Sequence, residues 1–389
     1  MVYCDHNATA PLRSASRDAM TYALTVTGNP SSVHAHGRAA RTIVEEARDQ
    51  VAKLVKAKPD QVILTSGATE ANNLALWGAV QGAIDQSEMD KAARITRMFV
   101  SAIEHSSVLK TAEAVAERVA GVRLEYLPVT ADGILNLEAL RVALREGKGR
   151  ALVVAMAANN ETGVIQPVAE ISRLCREADA LLLVDAVTAA GKIHLDAGLS
   201  DYLTLSAHKL GGPQGVGALV VNAEAPFTPQ ITGGGQQKGL RAGTENLSGI
   251  AGFGAAAKTV LADKHEVARV TAIRDHFETT LKQALPDAVI FGASAPRLGN
   301  TANVALPGLQ AENIVIALDL DGVMVSSGSS CSSGKIAPSH VLSAMGALDE
   351  LAGASIRVSF GWDSTFEDAD AVVASLTKLV ARVRARKAA

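Results

Sequence analysis

The sequence predicts an α/β fold: a mostly parallel sheet covered by helices in a large domain, followed by a smaller α+β domain. Short apolar runs alternate with helical spacings over the first two thirds of the chain, the pattern of a layered α/β domain. The runs lack strict polar alternation, as strands buried on both faces of a parallel sheet should. Near Ala255 the pattern shifts to a long helical stretch and shorter alternating strands.

Taken in order, Gln61-Val62-Ile63-Leu64-Thr65 reads as a strand, and Thr69 onward as a helix. Met98–Ser101, Ala151–Ala155, Leu181–Asp185 and Tyr202–Leu205 read as further strands, with a helix over Val168–Cys175 before the last two. One long helix is expected from about Ala257 to Ala284. Ala288–Phe291, Thr301–Leu306 and Ser355–Phe360 read as strands, the last two alternating like half-exposed ones. The expected organisation is an N-terminal segment (1–15) that joins a small domain, a large domain (16–255), and a small C-terminal domain (256–389).

The chain has 389 residues, 48% hydrophobic and 20% charged, with a net charge of −3. That balance is globular and gives no reason to expect a nucleic-acid or acidic-membrane surface. No apolar stretch approaches bilayer-spanning length, and MVYCDHNATAP has no signal-peptide pattern. Three distant cysteines, Cys4, Cys175 and Cys331, argue against a disulfide framework and for a reducing compartment, so a cytoplasmic location is expected. The basic tail Arg382–Lys387 suits a helix C-terminus. No His/Cys/Asp/Glu cluster has structural zinc spacing.

Ligands of open α/β sheets bind beyond the carboxyl ends of the strands, and four groups fall there. Ser66-Gly67-Ala68-Thr69 turns into a helix N-terminus, either a plain cap or a phosphate cradle. Glu104-His105 follows the next strand; such a histidine is either a hydrogen-bonded residue or a site residue. Asp185 closes an apolar run and must find donors or a cation. Ser206, His208 and Lys209 close another, and Lys209 is either a solvated loop residue or an amine meant to react. A phosphate cradle, a strand-end aspartate and a lysine beside hydroxyls together suggest a pyridoxal phosphate site. The string Gly233–Gly239 has the wrong spacing for a dinucleotide fingerprint. Ser326–Gly334 is expected to be an exposed mobile loop, with Cys331 on it as either an incidental or a nucleophilic thiol. Cys4 and Cys175 read as packed residues.

In that order, TSGATEANN, ANNETGVIQP, VDAV, SAHKLGGPQGVG, GGGQQKGLRAGTEN and SSGSSCSSG resemble the cysteine desulfurases of the nitrogenase-associated and housekeeping iron–sulfur group. These are class V, fold-type I pyridoxal 5′-phosphate enzymes, and the likeness runs over nearly the whole chain. The resemblance implies that Lys209 bonds the cofactor, Asp185 pairs with its pyridinium nitrogen and His105 stacks on its ring and carries protons. Ala68 (by its backbone), Thr69, Ser206 and His208 would hold the phosphate, joined by Thr244 from the partner of a homodimer. Asn160 would lie near cofactor and substrate, Arg357 would clamp the carboxylate of L-cysteine, and Cys331 would accept the sulfur as a persulfide.

An iron–sulfur scaffold or another sulfur-acceptor protein would take that sulfur onward. No resident metal is implied, any contact of Cys331 with a nascent cluster being transient. Thr188 stands where the family has a glutamine that donates to the cofactor's phenolic oxygen, and His6 where asparagine is usual. A selenocysteine lyase and a non-catalytic fold relative that binds assembly partners are the other two readings.

Overall fold

Each strand of the principal sheet sends alternate side chains to opposite faces, and both faces are covered. The computed structural model describes residues 1–327 and 339–388. After a short strand at Val2–Tyr3 (β1), the sheet is built from Val62–Thr65 (β2), Ile95–Ser101 (β3), Arg123–Leu127 (β4), Arg150–Met156 (β5), Leu181–Asp185 (β6), Tyr202–Ser206 (β7) and Gly217–Val221 (β8). Their spatial order is β2-β8-β7-β6-β5-β3-β4. Neighbours from β4 to β7 are parallel, and β8 runs antiparallel to β7 and β2.

The helices of this region are Ser14–Thr25 (α1), Ala35–Leu54 (α2), Ala68–Gln86 (α3), Ser106–Arg118 (α4), Leu137–Arg145 (α5), Val168–Glu177 (α6) and Leu247–Ala262 (α7). Leu182 and Val184 pack into one core with α2, α6 and α7. Leu181 and Leu183 pack into another with α3 and α4. Two covered faces explain why β6 reads as an unbroken apolar run. Neither β4 nor β8 is evident in the sequence; β4 is an edge strand with three of its five residues exposed, and β8 follows directly on a glycine-rich turn.

The C-terminal part adds Glu266–Ala284 (α8), Val289–Phe291 (β9), Thr301–Ala305 (β10), Ala311–Leu320 (α9), Val323–Met324 (β11) and Ser326–Ser327 (β12). It continues with His340–Ala344 (α10), Asp349–Gly353 (α11), Ser355–Ser359 (β13) and Phe366–Ala388 (α12). An antiparallel sheet of order β12-β13-β10-β9 packs with α8, α9 and α12. Cys4 is part of that core, and β1 pairs in parallel with β11. Cys175, on α6, is buried in the first core. Among the described residues no helix is long and apolar enough to cross a membrane.

Two expectations are corrected. The single helix over 257–284 is two, α7 and α8. Asp263 leaves helical geometry at φ −89°, ψ 92°, and its carboxylate accepts the amides of His265 and Glu266 at 3.0 Å each, capping the second helix. The strands β10 and β13 alternate as predicted but are buried along their whole length. Their polar alternates face other protein groups instead of water. Asn303 donates to the Glu161 carbonyl at 3.4 Å, Ser359 Oγ accepts the Asn7 amide at 2.9 Å, and Arg357 reaches Asp5. This inward polar face borders the site.

Candidate active site

The carboxyl ends of β2, β5, β6 and β7 surround a cavity of about 700 Å³, closed on its far side by β12, β13 and residues 7–9. Ala68, Thr69, His105, Asn160, Asp185, Thr188, Ser206, His208, Lys209 and Arg357 all line it. β5, β6 and β7 are neighbours in the sheet and β2 lies one strand further on, across β8, so residues far apart in sequence converge there. Thr244 is exposed and lies outside this cavity, and Cys331 lies outside the described residues.

Asp185 is 6% exposed at the end of β6. One carboxylate oxygen accepts the Val187 amide at 3.0 Å, and the other accepts Asn72 Nδ2 at 2.9 Å. Asn72 is fixed in turn, because its Oδ1 accepts the Thr204 hydroxyl at 2.8 Å while Nδ2 also donates to Ser107 Oγ at 3.0 Å. Sequence reasoning missed Asn72 as a site residue. The available signal was its place one turn inside the helix that starts at the presumed phosphate cradle.

His105 caps α4 by accepting the Ser107 amide at 3.1 Å, and its Nδ1 lies 2.8 Å from Ser107 Oγ. Burial lowers its pKa; Asp185 opposes that, while Lys209 and His340 add to it. The ring is therefore neutral at pH 7, a flat apolar face with one fixed edge. His208 contacts Thr9 Oγ1 at 3.3 Å, and burial, Lys209 and Lys192 push its pKa down to about 4.

The Lys209 amine donates to the carbonyls of Asn7 and Ala8, the latter at 2.8 Å. Burial first, then the Arg357 and Lys192 cations, bring its pKa down to about 7, against the pull of Asp5 and Asp185. Such an amine is about half free base at neutral pH, where an ordinary lysine is almost wholly protonated, and a nucleophilic or proton-accepting lysine needs that neutral form. Arg357 donates to the Asn160 carbonyl at 3.2 Å and to Asp5 Oδ1 at 2.7 Å, while its Nε has no hydrogen-bond partner among the described residues.

At the other end of the cavity α3 begins at Gly67 with no side-chain cap, so its first amides are free. The hydroxyls of Ser66, Thr69 and Ser206 stand beside them. Glu70 is half-buried, which on its own would raise its pKa, yet its bonds from Arg241 at 2.7 Å and Ser66 hold its carboxyl below the usual value and tie the turn in place. Gly217 starts β8 close beneath it: a Cβ there would lie 2.7 Å from the Gly67 carbonyl carbon.

An uncapped helix N-terminus with three hydroxyls suits a phosphate. The buried Asp185 suits a protonated pyridine nitrogen, and the Arg357 and Lys209 side suits further anionic groups. The donor set thus fits pyridoxal phosphate. Thr188 is buried, and its short side chain lines the cavity where the resemblance expects a glutamine. Among the described residues no group of three or more His, Cys, Asp or Glu is placed to hold a metal ion.

The class V aminotransferase model matches residues 2–372. The chain is 40% identical over 387 residues to a protein of Dictyoglomus turgidum named cysteine desulfurase IscS, covering 98% of this chain and 95% of that one. It is 41% identical to a protein of Cereibacter sphaeroides named cysteine desulfurase, covering 99% and 97%. A solved NifS-like protein of Rickettsia africae superposes with a TM-score of 0.85 at 31% identity, over 98% of this chain and 99% of that one. The chain belongs to the class V aminotransferase family of pyridoxal 5′-phosphate-dependent enzymes.

Proposed function

We propose that this enzyme is a cysteine desulfurase, which converts L-cysteine to L-alanine and passes the sulfur to Cys331 as a persulfide for iron–sulfur cluster assembly. The observation that carries the reading is the cavity itself. A cradle for phosphate, a buried aspartate, a lysine of pKa about 7 and a part-unpaired arginine converge in one place, in a chain whose full-length relatives bear that name.

In this reading Ala68, Thr69, Ser206 and His208 hold the phosphate, Asp185 holds the pyridine nitrogen in its protonated form, and His105 lies along the ring. Bound there, the cofactor supplies an electron sink for the substrate's α-carbon. Lys209 would anchor the cofactor, and its amine in the neutral form would accept the substrate's α-proton. Arg357 orients the cysteine carboxylate through a forked pair, beside the Asn160 backbone that it already contacts. His105 carries a proton to or from the reacting groups.

The Cys331 thiolate then attacks the substrate sulfur as the Cβ–S bond breaks. The sulfur remains on Cys331 as a persulfide, and the carbon skeleton takes up protons and leaves as alanine. A homodimer in which Thr244 completes the partner's phosphate site is part of the reading, supported by the exposure of Thr244 away from its own cavity. So are an iron–sulfur scaffold or another sulfur acceptor, a cytoplasmic location, and the division at about residues 15 and 255. That division is supported by the change of core between Ala257 and Val270.

Incubation of the purified protein with pyridoxal phosphate and L-cysteine tests the reading. Alanine together with one added sulfur on Cys331, seen by intact mass, is the expected result. A yellow protein that yields neither would remove it.

A further inference from the structure

Behind Lys209 the fold places a second lysine that the reaction scheme does not use. Lys192 follows Thr188 by four residues on the turn that leaves β6. Its ammonium donates to the Thr188 carbonyl at 2.9 Å and lies 3.5 Å from the Lys209 carbonyl oxygen. One side chain thereby joins the turns that follow β6 and β7, the two strands whose ends carry Asp185 and Lys209. Lys192 and Lys209 also line one small void, of about 30 Å³, together with Arg13, Glu266 and Trp362.

No carboxylate pairs with Lys192 among the described residues. The nearest candidate, Glu266, is held by both ends of the Arg13 guanidinium at 2.8 and 2.7 Å. Burial lowers the pKa of Lys192 to about 8, with Glu266 opposing and Arg13 adding to the shift, so below that pH it is a cation fixed against backbone carbonyls whose charge acts on its neighbours. The charged and titratable groups that face Lys209 are Lys192, Arg357, His105, His208, Asp5 and Asp185. Only Arg357 shares the sign of Lys192 at full charge, and Asp5 already pairs with Arg357.

We propose that Lys192 is a positioning residue for Lys209: its unpaired ammonium fixes the turn that carries Lys209 and disfavours a proton on the Lys209 nitrogen. The direction follows from like-charge repulsion, which favours the neutral form of an amine. The lowered pKa of Lys209, to about 7 with Lys192 among its causes, agrees with that direction. The inference rests on the reading of Lys209 as the cofactor-bearing lysine.

The test is a pH titration, from roughly pH 6 to 10, of the visible absorbance of the full-length holoenzyme. That absorbance reports protonation of the Lys209 nitrogen. Lys192→Met and Lys192→Gln should each move the midpoint up by about one pH unit, and Lys192→Arg, which keeps the charge, should stay within about 0.3 of wild type. Glutamine keeps a donor for the Thr188 carbonyl and can be read if the methionine variant fails to fold. Midpoints equal to wild type in Lys192→Met or Lys192→Gln, with only a lower Tm or weaker cofactor retention, would reduce Lys192 to packing and overturn the proposal. A visible band that titrates unchanged in Lys209→Ala would instead overturn the assignment of Lys209.

Discussion

Asp5 and Arg357 are 352 residues apart in sequence, yet their side chains form an ion pair at 2.7 Å on the wall of the cavity. The pair holds a guanidinium that is only 6% exposed in one orientation while leaving Nε without a partner. A guanidinium held by one carboxylate, with its buried Nε still unsatisfied, has donor capacity left for a second carboxylate. Arg357→Lys should lose the forked geometry and lower kcat/KM for L-cysteine about 100-fold. Asp5→Asn should raise KM about 10-fold with kcat within about 2-fold of wild type. Steady-state kinetics that leave both parameters unchanged in both variants would remove Arg357 from substrate binding.

Lys209 sets the acid limb of the rate. The neutral amine is the working form, and its pKa is about 7, so kcat should rise about tenfold per pH unit below that value and level off above it. Lys209→Ala should abolish both alanine formation and the visible absorbance that depends on that lysine. Full turnover in this variant would be incompatible with the assignment.

Cys331→Ala should keep the cofactor and still exchange the substrate α-proton, because those steps use Lys209 and Asp185. It should lose persulfide formation altogether. Solvent deuterium exchange and intact-mass analysis separate the two, and continued desulfuration without added thiol would place the sulfur acceptor elsewhere.

Glu161 makes stability depend on pH. Its carboxyl is 3% exposed and accepts the Ser339 hydroxyl at 2.5 Å. Burial, opposed by Ser339 and Arg357, raises its pKa from 4.5 to about 7. The folded chain therefore binds the proton more tightly than the unfolded chain, and this stabilising contribution, complete below pH 4.5, is lost as pH rises through about 7. Glu161→Gln should flatten the stability profile across that window and stabilise the protein at pH 8 by on the order of 1–3 kcal/mol. Urea unfolding at several pH values checks this, and an unchanged slope would refute it.

Gly217→Ala should weaken the phosphate cradle. The added methyl would lie 2.6 Å from the Leu205 carbonyl oxygen and 2.7 Å from the Gly67 carbonyl carbon, both parts of backbone that cannot swing aside. A loss of about 1–3 kcal/mol of stability and a roughly tenfold rise in the cofactor dissociation constant are expected. Wild-type cofactor affinity in a folded variant would show that Gly67 does not depend on this contact.

The apolar runs of β2, β3, β5, β6 and β7, the helix starts after them and the ordered motifs made the family and ten of the 25 cavity-lining residues legible in the chain. That works because strand ends and helix starts are local matters of periodicity and turn chemistry, and Asp185, Lys209 and Thr69 sit at such ends. Tertiary structure alone decided three things. The polar alternates Asn303, Arg357 and Ser359 suggest a wet strand face, but their partners Glu161, Asp5 and Asn7 come from distant parts of the chain. Asn72 looks like an ordinary helix residue until Thr204 and Asp185, from two strands, meet it. Nothing in the local sequence marks Lys192, whose ammonium the fold sets between the Thr188 and Lys209 carbonyls. In each case local sequence specifies the element, while the orientation of a polar side chain depends on partners that only long-range packing brings within hydrogen-bond distance.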